Sequence, residues 1–116
     1  MSFHRSLTPE RWRAFAFPQQ LIMIANEIHR ARLALTDGFP DSARSAYLRA
    51  LDLTELTIEA ADRTRSTLLR ELLRWREVLA FEAIRPDAHV DSNGQLLEAV
   101  LLLHTEAAKQ RQHVLG

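Results

Sequence analysis

Apolar residues along this chain recur with the spacing of helices. Between Gln19 and Leu35 they return every three or four residues, which places them on one face of a helix. The same spacing continues in three later stretches, and no alternating run of valine, isoleucine and threonine long enough for a strand interrupts them. The predicted buried positions of the first three long helices are Leu21, Ile24, Ala25, Ile28, Ala31 and Leu35; Ala43, Ala46, Tyr47, Ala50, Leu53, Thr54, Thr57 and Ile58; and Leu68, Leu72, Trp75 and Leu79.

Start and stop signals divide the chain between these stretches. Thr8-Pro9-Glu10 supplies a capping threonine, a proline for the first turn and an acidic residue, and predicts a short N-terminal arm that holds Trp12 and Phe15. Pro18 then restarts the chain. Asp37-Gly38-Phe39-Pro40 predicts the end of the first long helix, because glycine suits a left-handed stop and proline prevents continuation.

Three further long helices follow from the remaining caps. Asp41 or Ser42 caps the second, Ser66 or Thr67 the third and Asp91 or Ser92 the fourth, with a loop from Pro86 to Gly94 before the last. Short connections favour antiparallel neighbours. The sequence therefore predicts an all-α protein: an N-terminal arm over residues 1–17 and one domain over residues 18–116, an antiparallel up-down-up-down four-helix bundle.

The first and fourth long helices carry more apolar residues than one core face needs. Ile22 and Leu103 are examples of this surplus. Either the arm, with Trp12, Phe15 and Phe17, or another subunit covers such a face. We expect a second subunit, and hence a homo-oligomer.

Composition narrows the class of protein. The 116 residues hold 15 basic and 15 acidic side chains and no cysteine, which excludes disulfides and thiolate metal sites. Zero net charge argues against a dedicated nucleic-acid binder, although 14 of the 15 basic residues are arginine. The first residues lack the apolar core of a signal peptide, and the longest apolar run, Leu21 to Ala25, is too short to cross a membrane. We expect a cytoplasmic bacterial protein that does not bind membranes.

Catalytic and metal-binding patterns are absent from the sequence. Four-helix bundles that hold two iron ions need Glu-x-x-His pairs, and none of the five histidines has a glutamate three residues before it. A glycine-rich phosphate loop, a His-Glu-x-x-His motif and a nucleophile elbow are also missing. We therefore predict no catalytic residue, no metal site and no cofactor.

A set of charged residues at helical spacing is the candidate binding site. It admits two interpretations: a polar network between helices, or ordinary solvated pairs worth about 0.2–0.5 kcal/mol each. The set consists of Glu27, Arg30, Arg49, Arg70, Glu71, Arg74 and Glu77.

Several segments resemble an uncharacterised family of short bacterial helical-bundle proteins. These segments are Pro18–Leu21, Asn26–Ala31, Arg49–Leu53, Leu56–Ile58 and Leu69–Leu79. The family is similar in fold to the four-helix-bundle proteins encoded in ribosomal-RNA intervening sequences, some of whose relatives associate into rings and contact nucleic acid. The resemblance implies a helical bundle and adds weight to the charged set, without giving it a chemistry.

Three hypotheses of function follow. The first is a non-enzymatic protein that self-associates and acts through protein–protein contacts. The second is a nucleic-acid-associated bundle, in which assembly collects arginines from several subunits on one surface. The third is an enzyme or small-molecule binder with a polar pocket formed by Glu27, Arg30, Arg49 and Arg74.

Overall fold

The computed structural model describes residues 8–61, 64, 66–85 and 89–115, with side chains to residue 106. Helices account for nearly all of these residues, and there is no strand among them. The chain is therefore all-α, as predicted. The described residues form five helices, α1 (Pro9–Arg13), α2 (Phe17–Thr36), α3 (Pro40–Ala60), α4 (Ser66–Ile84) and α5 (Val90–Leu115).

The turn between α2 and α3 confirms the predicted stop. Gly38 has a φ of 82°, a left-handed conformation that glycine adopts without steric cost. The amide of Gly38 donates to the carbonyl of Leu35, and the amide of Phe39 donates to that of Ala34. These two bonds satisfy carbonyls that the end of the helix leaves free. α3 then begins at Pro40, directly after this turn.

Each long helix contacts two others. α2 packs against α3 and α5, α4 packs against the same two helices, and the short α1 rests on α3. The buried side chains of all five helices form a single apolar core. None of the described helices combines the length and the apolar character that a membrane span requires.

α2 and α3 meet through small side chains. Ala25 and Ala31 of α2 and Ala43, Ala46 and Ala50 of α3 are all buried. Alanine side chains let two helix backbones approach closely, and α2 and α3 make extensive contact. The core face of α4 consists instead of the bulky Leu68, Leu72, Trp75 and Leu79, each at most 4% exposed, as the spacing predicts.

The N-terminal arm is anchored to the core by Trp12. Its indole is fully buried, and Nε1 donates to Oγ1 of Thr57 in α3 at 2.9 Å. The side-chain Nε2 of Gln20, near the start of α2, donates to the carbonyl of Trp12, also at 2.9 Å. The arm thus covers part of the bundle, which was one of the two predicted ways to cover surplus apolar surface.

Some predicted boundaries are wrong. The second long helix starts at Pro40, before the predicted caps Asp41 and Ser42. The last starts at Val90, so the second half of the predicted loop Pro86–Gly94 is helical. The chain forms its first turns there because the side chain of Asn93 is fully buried against other helices. Residues 1–7 of the predicted arm, 62, 63 and 65 of the connection, and 86–88 of the loop lie outside the described residues.

The predicted surplus apolar surface is also only partly correct. Ile22 on α2 is 37% exposed, but Leu103 on α5 is only 8% exposed and belongs to the core. The most exposed large apolar side chains on the long helices include three of α4, a helix for which the sequence predicted no surplus: Val78, Phe81 and Ile84.

Candidate functional site

Three members of the predicted charged set meet between α2 and α3. The side chain of Glu27 is only 5% exposed, and one carboxylate oxygen accepts from Arg30 Nη1 at 2.7 Å. The other accepts from Nε of Arg49 on α3 at 2.8 Å. A buried carboxylate needs such partners because its charge is costly away from water. The cluster therefore joins two helices, and both oxygens of Glu27 are already engaged.

The remaining members lie on α4 and face solvent. Nη1 of Arg74 is 3.3 Å from Oε1 of Glu71, and both side chains are about half exposed or more. Glu77 pairs with Arg76 at 3.3 Å, and Arg70 is exposed. The structure therefore does not bring Arg74 to the cluster of Glu27, Arg30 and Arg49, and the four residues form no common pocket.

A second buried polar cluster, absent from the sequence prediction, lies where α2, α3 and α5 meet. Asn93 of α5 is fully buried. Its Nδ2 donates to the carbonyl of Ile28 on α2 and to the hydroxyl of Tyr47 on α3, each at 2.9 Å. Within the described residues its Oδ1 is buried without a hydrogen-bond partner. One amide thus ties three helices together.

Glu82 brings α4, the remaining long helix, into contact with this cluster. It is 4% exposed and accepts from the hydroxyl of Ser92 at 2.7 Å and from Nη1 of Arg85 at 3.4 Å. Burial raises the pKa of the Tyr47 hydroxyl and the Glu82 carboxylate adds to this, while the Asn93 hydrogen bond and the charge of Arg85 oppose it. The phenol is consequently held in its neutral form.

Little in the sequence indicates this cluster. Asp91, Ser92, Asn93 and Gly94 are residues typical of turns, and they were assigned to the predicted loop. Tyr47 was predicted correctly as a core residue, and a buried tyrosine needs a partner for its hydroxyl. That need was the one signal pointing to a polar side chain nearby, without identifying which.

A groove between α4 and α5 has a volume of about 430 Å³. Trp75 and Leu96 lie at its floor, where the indole Nε1 donates to the carbonyl of Leu96 at 3.1 Å. Val78 and Phe81 line it and are 55% and 62% exposed. Apolar side chains exposed beside a groove are typical of surfaces that another chain covers.

Charged residues surround the apolar part of the groove. Glu71 and Arg74 lie toward one end, and Glu82 and Arg85 toward the other. The Arg85 guanidinium carbon is 5.8 Å from the centre of the Phe81 ring, within the range of a cation–π contact. We call this surface the α4–α5 groove; it has an apolar centre and charges of both signs around it.

No cluster of three or more histidine, aspartate or glutamate side chains with the geometry of a metal site occurs in the described part of the chain. The chain matches none of the protein-family models, curated proteins or solved structures with which it was compared. The resemblance to short bacterial helical-bundle proteins therefore stays a prediction.

Proposed function

We propose that this protein is a cytoplasmic, non-enzymatic helical bundle that self-associates and acts through protein–protein contacts. The observation that carries this proposal is the α4–α5 groove, where Val78 and Phe81 remain more than half exposed beside a floor of core residues. Exposing such side chains to water is unfavourable by about 25 cal/mol per Å² of apolar surface. A second subunit in the groove would remove this cost.

The proposed architecture is the antiparallel up-down-up-down bundle. Contacts between neighbouring helices support it. Glu27 of α2 binds Arg49 of α3, and both lie 11 residues from Gly38 in the turn that joins these helices. Ser92 of α5 binds Glu82 of α4, and Leu96, further along α5, binds Trp75, which lies earlier in α4. Antiparallel neighbours require such pairings.

The charge pattern of α4 favours a protein partner over nucleic acid. Glutamates and arginines alternate along its outer surface, as the adjacent pairs Glu71–Arg74 and Arg76–Glu77 show. A phosphate backbone laid on this surface would meet as many carboxylates as guanidinium groups, which removes the electrostatic gain of binding. Protein surfaces with both signs of charge have no such conflict.

A role in contacts, without catalysis, fits the state of the buried carboxylates. Glu27 and Glu82 each bind an arginine three residues further along the chain, and each has a further partner on another helix, Arg49 or Ser92. Such groups stabilise the junctions between helices. The third hypothesis needed Arg74 beside Glu27, and the structure instead places Arg74 at the α4–α5 groove.

Light scattering at low and at physiological ionic strength tests the proposal. We expect an oligomer whose mass is insensitive to salt, because apolar contacts are screened little by ions. Phe81→Asp should reduce the mass to that of a monomer. Leu33→Asp on α2 is the matched control, since Leu33 is 50% exposed but lies away from the groove, and should leave the mass unchanged.

A monomer at every concentration would refute self-association. An oligomer that survives Phe81→Asp would show that another surface holds it together. Binding to RNA or DNA that weakens steeply with salt would favour the nucleic-acid hypothesis instead.

A further inference from the structure

Two residues of α4 and the residue that directly follows this helix lie along the α4–α5 groove. Glu71, Val78 and Arg85 are separated by seven residues each, about two helical turns, so successive members lie about 20° apart around the helix axis. The amide of Arg85 still donates to the carbonyl of Phe81, which continues the helical pattern to this residue. All three line the groove. Their side chains are accessible: Glu71 is 48%, Val78 55% and Arg85 24% exposed.

The order of charges along this line is self-complementary. An acid stands at the N-terminal end, a base at the C-terminal end and an apolar residue midway between them. If two copies of α4 lie antiparallel with Val78 at the centre, Glu71 of each meets Arg85 of the partner subunit. Parallel copies would instead place like charges side by side, which is unfavourable.

The same register matches the residues one turn closer to the centre. Arg74 lies opposite Glu82 of the partner subunit, because they stand four residues on either side of Val78. Trp75 lies opposite Phe81 of the partner subunit, three residues on either side. All four line the α4–α5 groove. Trp75 and Glu82 are each 4% exposed, and Glu82 already binds Ser92 and Arg85. The contacts that define the register are therefore those at Val78 and between Glu71 and Arg85.

The facing wall of the groove presents a small residue between two longer ones. Gln95, Ala99 and Leu103 of α5 lie four residues apart on one face, and the middle residue is small. The 19 residues of α4 span about 28 Å, which is long enough for a standard interface of roughly 800 Å² per partner once α5 contributes.

We propose that the α4–α5 groove is filled by α4 of a second copy of this chain, antiparallel and related by a two-fold axis that passes beside Val78. This inference rests on the proposed self-association and specifies its partner, orientation and register. Because an isologous interface uses the same patch on both copies, closure at the dimer follows.

The absence of cysteine from the sequence makes a direct test possible. Any disulfide formed by a single-cysteine variant must join two chains. Val78→Cys places the new thiol beside the proposed axis, where the two Cα atoms come within the roughly 7 Å that a disulfide permits. Under mild oxidation this variant should become a covalent dimer. Leu33→Cys is equally exposed but lies on α2, and should cross-link at least about tenfold more slowly, since its thiols meet only by collision.

The register is tested with Glu71→Cys and Arg85→Cys. In the antiparallel arrangement the two copies of position 71 are 14 residues apart along the axis, about 21 Å, so neither variant alone should form a disulfide quickly. A mixture of the two should do so, because position 71 of one chain meets position 85 of the other. Chains carrying tags of different length identify the mixed product on a non-reducing gel.

Rapid cross-linking of Glu71→Cys alone would indicate parallel helices and overturn the inference. Equal rates for Val78→Cys and Leu33→Cys would also overturn it, by showing that α4 is not at the interface. If these results accompanied a native oligomer in light scattering, self-association would stand and only the α4 arrangement would be wrong. A native monomer would refute both.

Discussion

Two ion pairs of this protein share one spacing and differ in almost everything else. Glu27 and Arg30 on α2 and Glu71 and Arg74 on α4 are both glutamate–arginine pairs three residues apart. In the first, the carboxylate is 5% exposed and the distance is 2.7 Å; in the second, the carboxylate is 48% exposed and the distance is 3.3 Å. Spacing along a helix therefore predicts the pair and leaves its environment open.

The neighbouring helix accounts for the difference. α2 packs closely on the alanine face of α3, which brings Arg49 within 2.8 Å of Glu27 and encloses the carboxylate. The outer surface of α4 has no such neighbour among the described helices, so Glu71 stays hydrated. A pair enclosed in this way joins helices, whereas an exposed pair contributes about 0–1 kcal/mol and stays available to a partner.

Substitution of Asn93 should give the largest loss of stability, because this residue joins α5 to α2 and α3. In Asn93→Asp the new carboxylate cannot donate to Ile28 or Tyr47, and it would be buried as a charge. We expect the free energy of unfolding at neutral pH to fall by about 3 kcal/mol or more. Urea denaturation followed by circular dichroism measures the change.

Asn26→Asp is the matched control, because Asn26 undergoes the same chemical change on the exposed side of α2. Its effect should be within about 0.5 kcal/mol of zero. The Asn93 variant should regain part of its stability in mild acid, where the new carboxyl is neutral. If the two variants lost the same stability, Asn93 would not tie the helices together.

The ion pairs themselves can be compared through their arginines. Arg49→Met removes the cross-helix partner of Glu27 and leaves only Arg30 to compensate a nearly buried charge. We expect a loss of about 2 kcal/mol, below the usual 3–5 kcal/mol because one partner remains. Arg74→Met makes the same change in the exposed pair and should cost less than about 0.5 kcal/mol.

Both variants should be unfolded at one fixed protein concentration, because self-association would add to the apparent stability. High salt sharpens the comparison further. It should weaken the small contribution of Arg74 and leave most of that of Arg49, since enclosed charges are screened less. Equal losses for the two variants would mean that burial does not distinguish the pairs.

Helical periodicity was sufficient to predict most of the core. The predicted inner residues of α2, α3 and α4 are buried with few exceptions, and Trp75 lies in the core as its position beside Leu72 and Leu79 indicated. Caps were less reliable, since α3 and α5 each begin one or two residues before the predicted caps. The prediction of a loop up to Gly94 is wrong at Asn93, where residues typical of turns are helical and Asn93 donates hydrogen bonds to α2 and α3.

The candidate site was harder to predict. Spacing alone identified Glu27 and Arg30, but Arg49 reaches them only through the register of α3 on α2, which no local pattern encodes. The line of Glu71, Val78 and Arg85 is legible in the sequence at intervals of seven. The sequence does not show that this line is exposed, because Leu72 and Leu79 repeat at the same interval of seven and are buried.

Tyr47 gives the smallest expected change in stability, and the pH dependence of its hydroxyl tests the junction of α2, α3 and α5. Because burial raises the pKa of its hydroxyl above the ordinary value of about 10, the unfolded chain loses this proton before the folded chain does. The stability contributed by neutral Tyr47 is therefore fully present below about pH 10 and is lost as the pH rises through the folded pKa.

Tyr47 is the only tyrosine, so tyrosinate absorbance reports it alone. Tyr47→Phe should cost about 1 kcal/mol at neutral pH, since Asn93 loses an acceptor, and should flatten the alkaline decline. An ordinary titration of the wild type in its folded state would show instead that water reaches the junction of α2, α3 and α5.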